Sequence, residues 1–141
     1  MTTKELGDLG EKLVCEYLVK NGYSILAKKY RITFGEIDII AQKKWRFRHV
    51  LIKNFSTSLS PSIHFVEVKT IMKDNDSFYS GQSGGFFPEQ KVDYRKQRKL
   101  IWLAEIWLAK NKLPENTPYQ IDIIAVSENK IDFFENVVDR T

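Results

Sequence analysis

The pentapeptide Ile-Asp-Ile-Ile-Ala occurs twice in this chain, at 37–41 and again at 121–125. Each copy is rich in β-branched residues and reads as a buried strand with an acid near its start. Two copies do not make a repeat protein. They do require a sheet, and each acid needs a cation or hydrogen-bond donors, because an isolated buried charge is strongly disfavoured. Asp38 and Asp122 therefore pose the same question at two places. A metal, Arg31 or a backbone cap would each answer it at Asp38, and the second copy warns that such an acid can be purely structural.

The elements around these strands are readable. Thr2 with Glu5 fits a capping box, Gly22 fits a helix stop, and Leu6, Leu9, Leu13, Val14, Tyr17 and Leu18 recur at helical spacing between them. A helix is predicted from about 3 to 21. Tyr23–Ile32 and Glu36–Gln42 form strands around a turn at Thr33-Phe34-Gly35, and Ile63–Thr70 forms a third strand. Trp45, Phe47 and Val50 could extend a strand, whereas Ser56–Ser62 reads as loop, as does the glycine-containing 73–87. Pro88 suits the first turn of a second helix running to about Lys112, with Pro114 beyond it. Tyr119–Val126 and Lys130–Phe134 read as a closing hairpin. The order αβββαββ predicts an α+β (α/β) domain, a central mixed sheet flanked by helices.

At 141 residues, 43% hydrophobic and 28% charged, the chain is expected to form one domain, 1–141, with a real core. Its net charge of +4 is segregated. Residues 28–53 hold eight basic against two acidic residues and 88–112 hold seven against three, while the C-terminal end is acidic. Such segregation raises the expectation of a polyanionic partner. Cys15 is the lone cysteine, which fits a reducing cytoplasm and excludes an intramolecular disulfide or a cysteine metal knuckle. The N-terminus lacks the apolar core of a signal peptide. The greasiest stretch, Leu100–Ala109, is broken by Glu105 and is too short for a membrane span, so no membrane partner is expected.

Three acidic constellations can carry chemistry. In Phe65-Val66-Glu67-Val68-Lys69, strand alternation puts Glu67 and Lys69 on one face and Val66 and Val68 on the other. This fits an exposed ion pair on an amphipathic strand, or a metal carboxylate beside a lysine that positions a hydrolytic water. In Gly35–Ala41, Glu36 and Asp38 share one face, with Ile37 and Ile39 on the other. In the first helix, Gly7 and Gly10 suggest close backbone packing on the sheet, each glycine costing about 1 kcal/mol against alanine. Glu11 falls at the edge of the apolar stripe, either as a solvated glutamate or reaching toward a site. Together, a helix glutamate, an acid on the second strand and Glu-x-Lys on the third suit an oxygen-ligand divalent cation.

The segments Gly7-Asp8-Leu9-Gly10-Glu11, Gly22-Tyr23-Ser24-Ile25-Leu26, Tyr30-Arg31-Ile32-Thr33-Phe34-Gly35-Glu36-Ile37-Asp38-Ile39-Ile40-Ala41 and Phe65–Lys69 resemble the YraN-like family. That family consists of uncharacterised predicted endonucleases related to archaeal Holliday junction resolvases, within the PD-(D/E)XK nuclease superfamily. The resemblance covers most of the chain except 43–62 and 72–87. It implies a restriction-endonuclease-like αβββαβ core and Mg²⁺- or Mn²⁺-dependent hydrolysis of DNA, including branched DNA. It further implies Asp38, Glu67, the Val68 carbonyl and Glu11 as metal ligands, with Lys69 positioning the water. Glu36 matches the family's Gly-Glu-Ile-Asp motif, with an ion-pair or structural role equally open.

This chain departs from the family pattern at three places. The family joins its two motif strands by a short hairpin, whereas 28 residues here separate Asp38 from Glu67, read as an inserted hairpin or loop at about 43–62. Ile71 stands where the family often has arginine, and Lys29 stands where asparagine commonly precedes the Tyr-Arg pair.

Nucleic-acid contacts are expected from the second helix and the insertion. Lys91, Arg95 and Arg98 would share one helical face, beside Lys96. Arg46 and Arg48, interleaved with Trp45 and Phe47, could track a strand and stack bases, or simply protect a sheet edge. Trp102 and Ile106 point away from the Leu100/Leu103/Trp107 face, toward the insertion or a second subunit, which leaves room for a homodimer. His49 and His64 read as structural or exposed. The alternatives to a nuclease are a catalytically inactive nucleic-acid-binding module of the same fold and a protein-interaction domain using the Trp102 surface.

Overall fold

The computed structural model describes residues 1–43, 62–70, 93–128 and 130–138. Helix α1 (Thr3–Lys20) opens with the expected capping box: the Glu5 N–H donates to Thr2 Oγ1 at 3.2 Å, and the Thr2 N–H to Glu5 Oε2 at 2.6 Å. Gly22, at φ +88, turns the chain into β1 (Tyr23–Ile32), which forms a hairpin with β2 (Gly35–Lys43). β3 (Ile63–Thr70) pairs antiparallel with β2 and parallel with β4 (Tyr119–Ser127), and β5 (Lys130–Phe134) closes the edge. The sheet order is β1-β2-β3-β4-β5, and helix α2 (Tyr94–Lys110) lies in the crossover between the parallel strands. This is the expected α+β architecture, consistent with a restriction-endonuclease-like core. None of the described helices is long and apolar enough to cross a membrane.

The start of α2 departs from expectation. Asp93 is extended (φ −66, ψ 165) and its carboxylate accepts the Lys96 N–H at 2.9 Å, so the helix begins at Tyr94 rather than at Pro88. Pro88 and Lys91 lie outside the described residues. Most of the 43–62 insertion, with Arg46, Arg48, Trp45 and His49, lies outside them too.

Two apolar layers sandwich the sheet. Val14 and Leu18 of α1 pack with Tyr23, Ile39, Val66 and Ile124, while Leu103 and Trp107 of α2 pack with Ile37, Ile40, Phe65 and Ile123. β2, β3 and β4 are thus covered on both faces, which is why they read as nearly continuous apolar runs. Ile37 and Ile39, expected on one face, join opposite layers instead. The break in alternation falls at Asp38, between the pairs Tyr30↔Ile37 and Lys28↔Ile39. Lys29, between the same pairs, takes φ +47, so both strands turn together there.

The two α1 glycines also part company. A Cβ on Gly10 would lie 2.1 Å from Thr70 Oγ1, so the helix backbone sits directly on the end of β3, whereas a Cβ on Gly7 would meet nothing within 4 Å. Gly10 is the close-packing residue, and it sets its neighbour Glu11 against the sheet.

Candidate active site

The β2–β3 ladder runs from Gln42↔Ile63 to Ile39↔Val66. One residue further on, the Asp38 carboxylate takes over from the backbone: Oδ2 accepts the Val68 N–H at 2.7 Å. A strand interior that disfavours aspartate is thereby opened, and the acid itself satisfies the freed donor. Glu36 precedes it on the same strand, and Glu11 approaches from α1. One carboxylate oxygen each from Glu11, Glu36 and Asp38 lies within 4.8 Å of the other two, and all three side chains are half-buried.

Like charges this close disfavour full ionisation. Burial, and then the charge of Glu67, push the Asp38 carboxyl up to about 6, with Glu11 and Glu36 adding to the effect and the Val68 N–H opposing it. Burial also raises Glu11, against the pull of Lys29. A hard divalent cation reverses both penalties, and an all-carboxylate oxygen set is what such an ion takes. The residues present fit it.

Glu67, expected as a metal ligand, does not belong to the triad among the described residues. It lies on the α2 face with Lys69, as alternation predicted, and its Oε1 takes both the Lys69 ammonium at 3.1 Å and the Lys96 ammonium. Burial opposes the charge on Lys96, but its hydrogen bond and attraction to Glu67 outweigh that, and its pKa is raised. Lys96 thus lies on a buried carboxylate instead of reaching only outward. Glu36, Asp38, Glu67, Arg95, Lys96 and Lys99 share an open cleft of about 530 Å³ between β2, β3 and α2. Arg98 is elsewhere, its guanidinium 6.0 Å from the Tyr94 ring centroid.

Three partners escape a reading of sequence. Lys29 pairs with Asp8 and comes within 3.7 Å of Glu11, Arg31 pairs with Glu36, and Lys96 pairs with Glu67. Lys29 and Lys96 depend on contacts between helix and sheet, for which spacing along one element carries no signal. His64, by contrast, is structural as expected: its Nδ1 lies 2.6 Å from Asp122 Oδ2 in the interior, on the α1 side of the sheet beside Tyr23.

A mixed sheet with helices on both faces, and a carboxylate cluster where two of its strands part, defines an α+β protein with a candidate hard-cation site. The chain belongs to the uncharacterised protein family UPF0102, whose model matches residues 10–126. A UPF0102 protein of Thermodesulfovibrio yellowstonii is 38% identical over 136 residues, covering 96% of this chain and 97% of that one. One of Clostridioides difficile is 36% identical over 126 residues, covering 89% and 88%. Another, of Campylobacter fetus, is 34% identical over 131 residues, covering 93% and 91%.

Proposed function

We propose that this protein is a divalent-metal-dependent nuclease that hydrolyses DNA phosphodiester bonds, with Mg²⁺ or Mn²⁺ as its cofactor. The observation that carries the reading is the convergence of Glu11, Glu36 and Asp38 within 4.8 Å, with Glu36 and Asp38 also lining the cleft that holds Lys96 and Lys99. The resemblance of its motifs to the YraN-like nucleases supports it. Asp38, Glu11 and Glu67, with the Val68 carbonyl, would hold the cation. When bound, the cation polarises the scissile phosphate and the attacking water. Lys69 orients that water, Lys96 holds Glu67 in place, and Arg95 and Lys99 bind the phosphates flanking the cleavage point.

One observation favours the rival, a nucleic-acid-binding module without catalysis: Glu67 already has two lysine partners. The discriminating experiment incubates linear, flapped, single-stranded and four-way DNA with Mg²⁺ or Mn²⁺ and the wild type, Asp38→Ala or Lys69→Ala. Cleavage by the wild type alone is expected. Salt-sensitive binding without cleavage by all three would establish the rival, and cleavage that survives Asp38→Ala would remove the proposed site.

A further inference from the structure

Two large aromatic side chains that no part of the core uses stand together on the surface. Phe34, in the β1–β2 turn, is 61% exposed and Trp102, on α2, is 42% exposed. Their rings meet edge to face, with centroids 5.2 Å apart and planes at 60°. Their position is fixed by the backbone beneath them: a Cβ on Gly35 would lie 2.7 Å from Lys99 Cε and 3.0 Å from Leu103 Cδ1, so the turn is seated directly on α2. The pair is therefore held by a rigid hairpin and a rigid helix.

The surroundings say what the pair fits. A shallow hollow of about 380 Å³ runs beside Phe34, and both Glu36 and Lys99 line it as well as the acidic cleft. Along α2, Arg95, Lys99 and Trp102 follow at spacings of four and three, so two cations and the indole lie on one helical face over about 10 Å. No ion pair holds Arg95 or Lys99 among the described residues. Two rings are far too small a patch for a stable protein interface, which buries roughly 800 Å² per partner. Aromatic faces beside exposed cations match the alternation of bases and phosphates in a nucleic-acid strand. In a duplex the base faces are already stacked, so only unpaired nucleotides can use the rings.

We infer that Phe34 and Trp102 form a stacking platform for unpaired nucleotides, at the end of the acidic cleft, with Lys99 on the adjoining phosphate. The inference deepens the nucleic-acid reading above and rests on it: it names a substrate with single-stranded character, such as a flap, a junction or a frayed end.

The test measures binding in EDTA, so that no cleavage is needed. Fluorescence anisotropy compares a short oligothymidine with a duplex of the same length, for the wild type, Phe34→Ala, Trp102→Ala, Phe34→Tyr and Trp102→Phe. Each alanine variant should lose about tenfold in affinity for the oligothymidine and little for the duplex, while the aromatic replacements keep it. An oligonucleotide carrying 5-iodouracil should photo-cross-link to the peptide containing Phe34 or Trp102. Wild-type affinity in both alanine variants, or equal losses on single strand and duplex, would overturn the inference. So would sedimentation in which Trp102→Ala converts a dimer to a monomer, since the rings would then cover a second copy of the chain. If ring-dependent single-strand binding holds but no DNA is ever cleaved, the inference stands and the nuclease reading falls. If cleavage requires Asp38 while binding ignores both rings, the reverse is true.

Discussion

The same five residues, Ile-Asp-Ile-Ile-Ala, meet opposite fates in β2 and β4. Asp122 is completely buried, and three donors surround it: Oδ2 lies 2.6 Å from His64 Nδ1, while Oδ1 accepts from Gln120 Nε2 and the Asn136 N–H, both at 2.8 Å. Among the described residues Asp38 has one donor, the Val68 N–H, and it faces the carboxylates of Glu11, Glu36 and Glu67. One acid is saturated by its own protein and the other is left short. A buried charge that the chain completes by itself is architecture. A half-buried charge that the chain surrounds with more of the same sign is a candidate site for a cation from outside.

The largest effect should come from breaking the saturated copy. Asp122→Ala strips the acceptor from His64, Gln120 and Asn136 at once, inside the α1-side layer. Removing one partner of such a buried network costs about 3–5 kcal/mol, a large share of a domain's total stability. Urea unfolding should show that loss, or no folded protein at all. Asp122→Asn should cost less, because the amide keeps an oxygen for Gln120 and Asn136 and His64 can accept through its other tautomer. If Asp122→Ala unfolds at the wild-type midpoint, the two copies are not as different as their surroundings indicate.

The matching change in the other copy should act in the opposite direction. Asp38→Asn keeps an oxygen for the Val68 N–H and removes a charge from the crowded cluster. In EDTA at pH 8 it should stabilise the protein by roughly 2 kcal/mol, raising Tm by several degrees, and with Mg²⁺ it should lack the proposed cleavage. The pH dependence follows from the sign of the shift. The folded pKa, about 6, lies above the ordinary aspartate value of 3.8, so the folded state holds the proton more tightly. Asp38 therefore contributes stability below about pH 4 and loses it as pH rises to about 6. Glu11, raised by burial, acts with the same sign. The wild-type minus Asp38→Asn difference in Tm should accordingly fall between pH 4 and 6 and stay low above it. Adding Mg²⁺ at pH 8 should raise the wild-type Tm and leave Asp38→Asn unmoved. A difference curve that is flat with pH would remove the strained-acid account of Asp38.

Much of the fold could be anticipated from one-dimensional patterns, and the contrast between the two acids depends on contacts between elements. The capping box at Thr2, the hairpins and the two-faced burial of β2, β3 and β4 follow from local spacing. So does the placement of Glu67 with Lys69 on one face of β3. The expected start of α2 at Pro88 rests on proline being a good first-turn residue, whereas the cap is Asp93 and the helix starts at Tyr94, six residues later. Alternation failed at Ile37 and Ile39 because Lys29 adopts φ +47 on the neighbouring strand, which no pattern within β2 announces. That same turn accompanies the meeting of Glu36 with Asp38 and Glu11, so a residue whose role was open joins the cluster. Identical pentapeptides could not disclose which acid would be saturated, since His64 and Asn136 come to Asp122 from β3 and from beyond β5.

The smallest change asks whether saturation is graded. Gln120 donates to Asp122 from two residues away on the same strand, and Asn136 donates to the same oxygen from the backbone. Gln120→Ala therefore removes one of three donors and leaves Oδ1 still paired. A hydrogen bond to a charged group is worth about 1.5–3 kcal/mol when it is lost outright, but Gln120 is only half-buried, so water can replace part of it. The expected loss is about 1 kcal/mol, read as a shift of the urea midpoint at unchanged slope. A loss as large as that of Asp122→Ala would mean that the three donors act as one cooperative unit. The difference between the two copies would then be a threshold in hydrogen bonding rather than a sum of separate bonds.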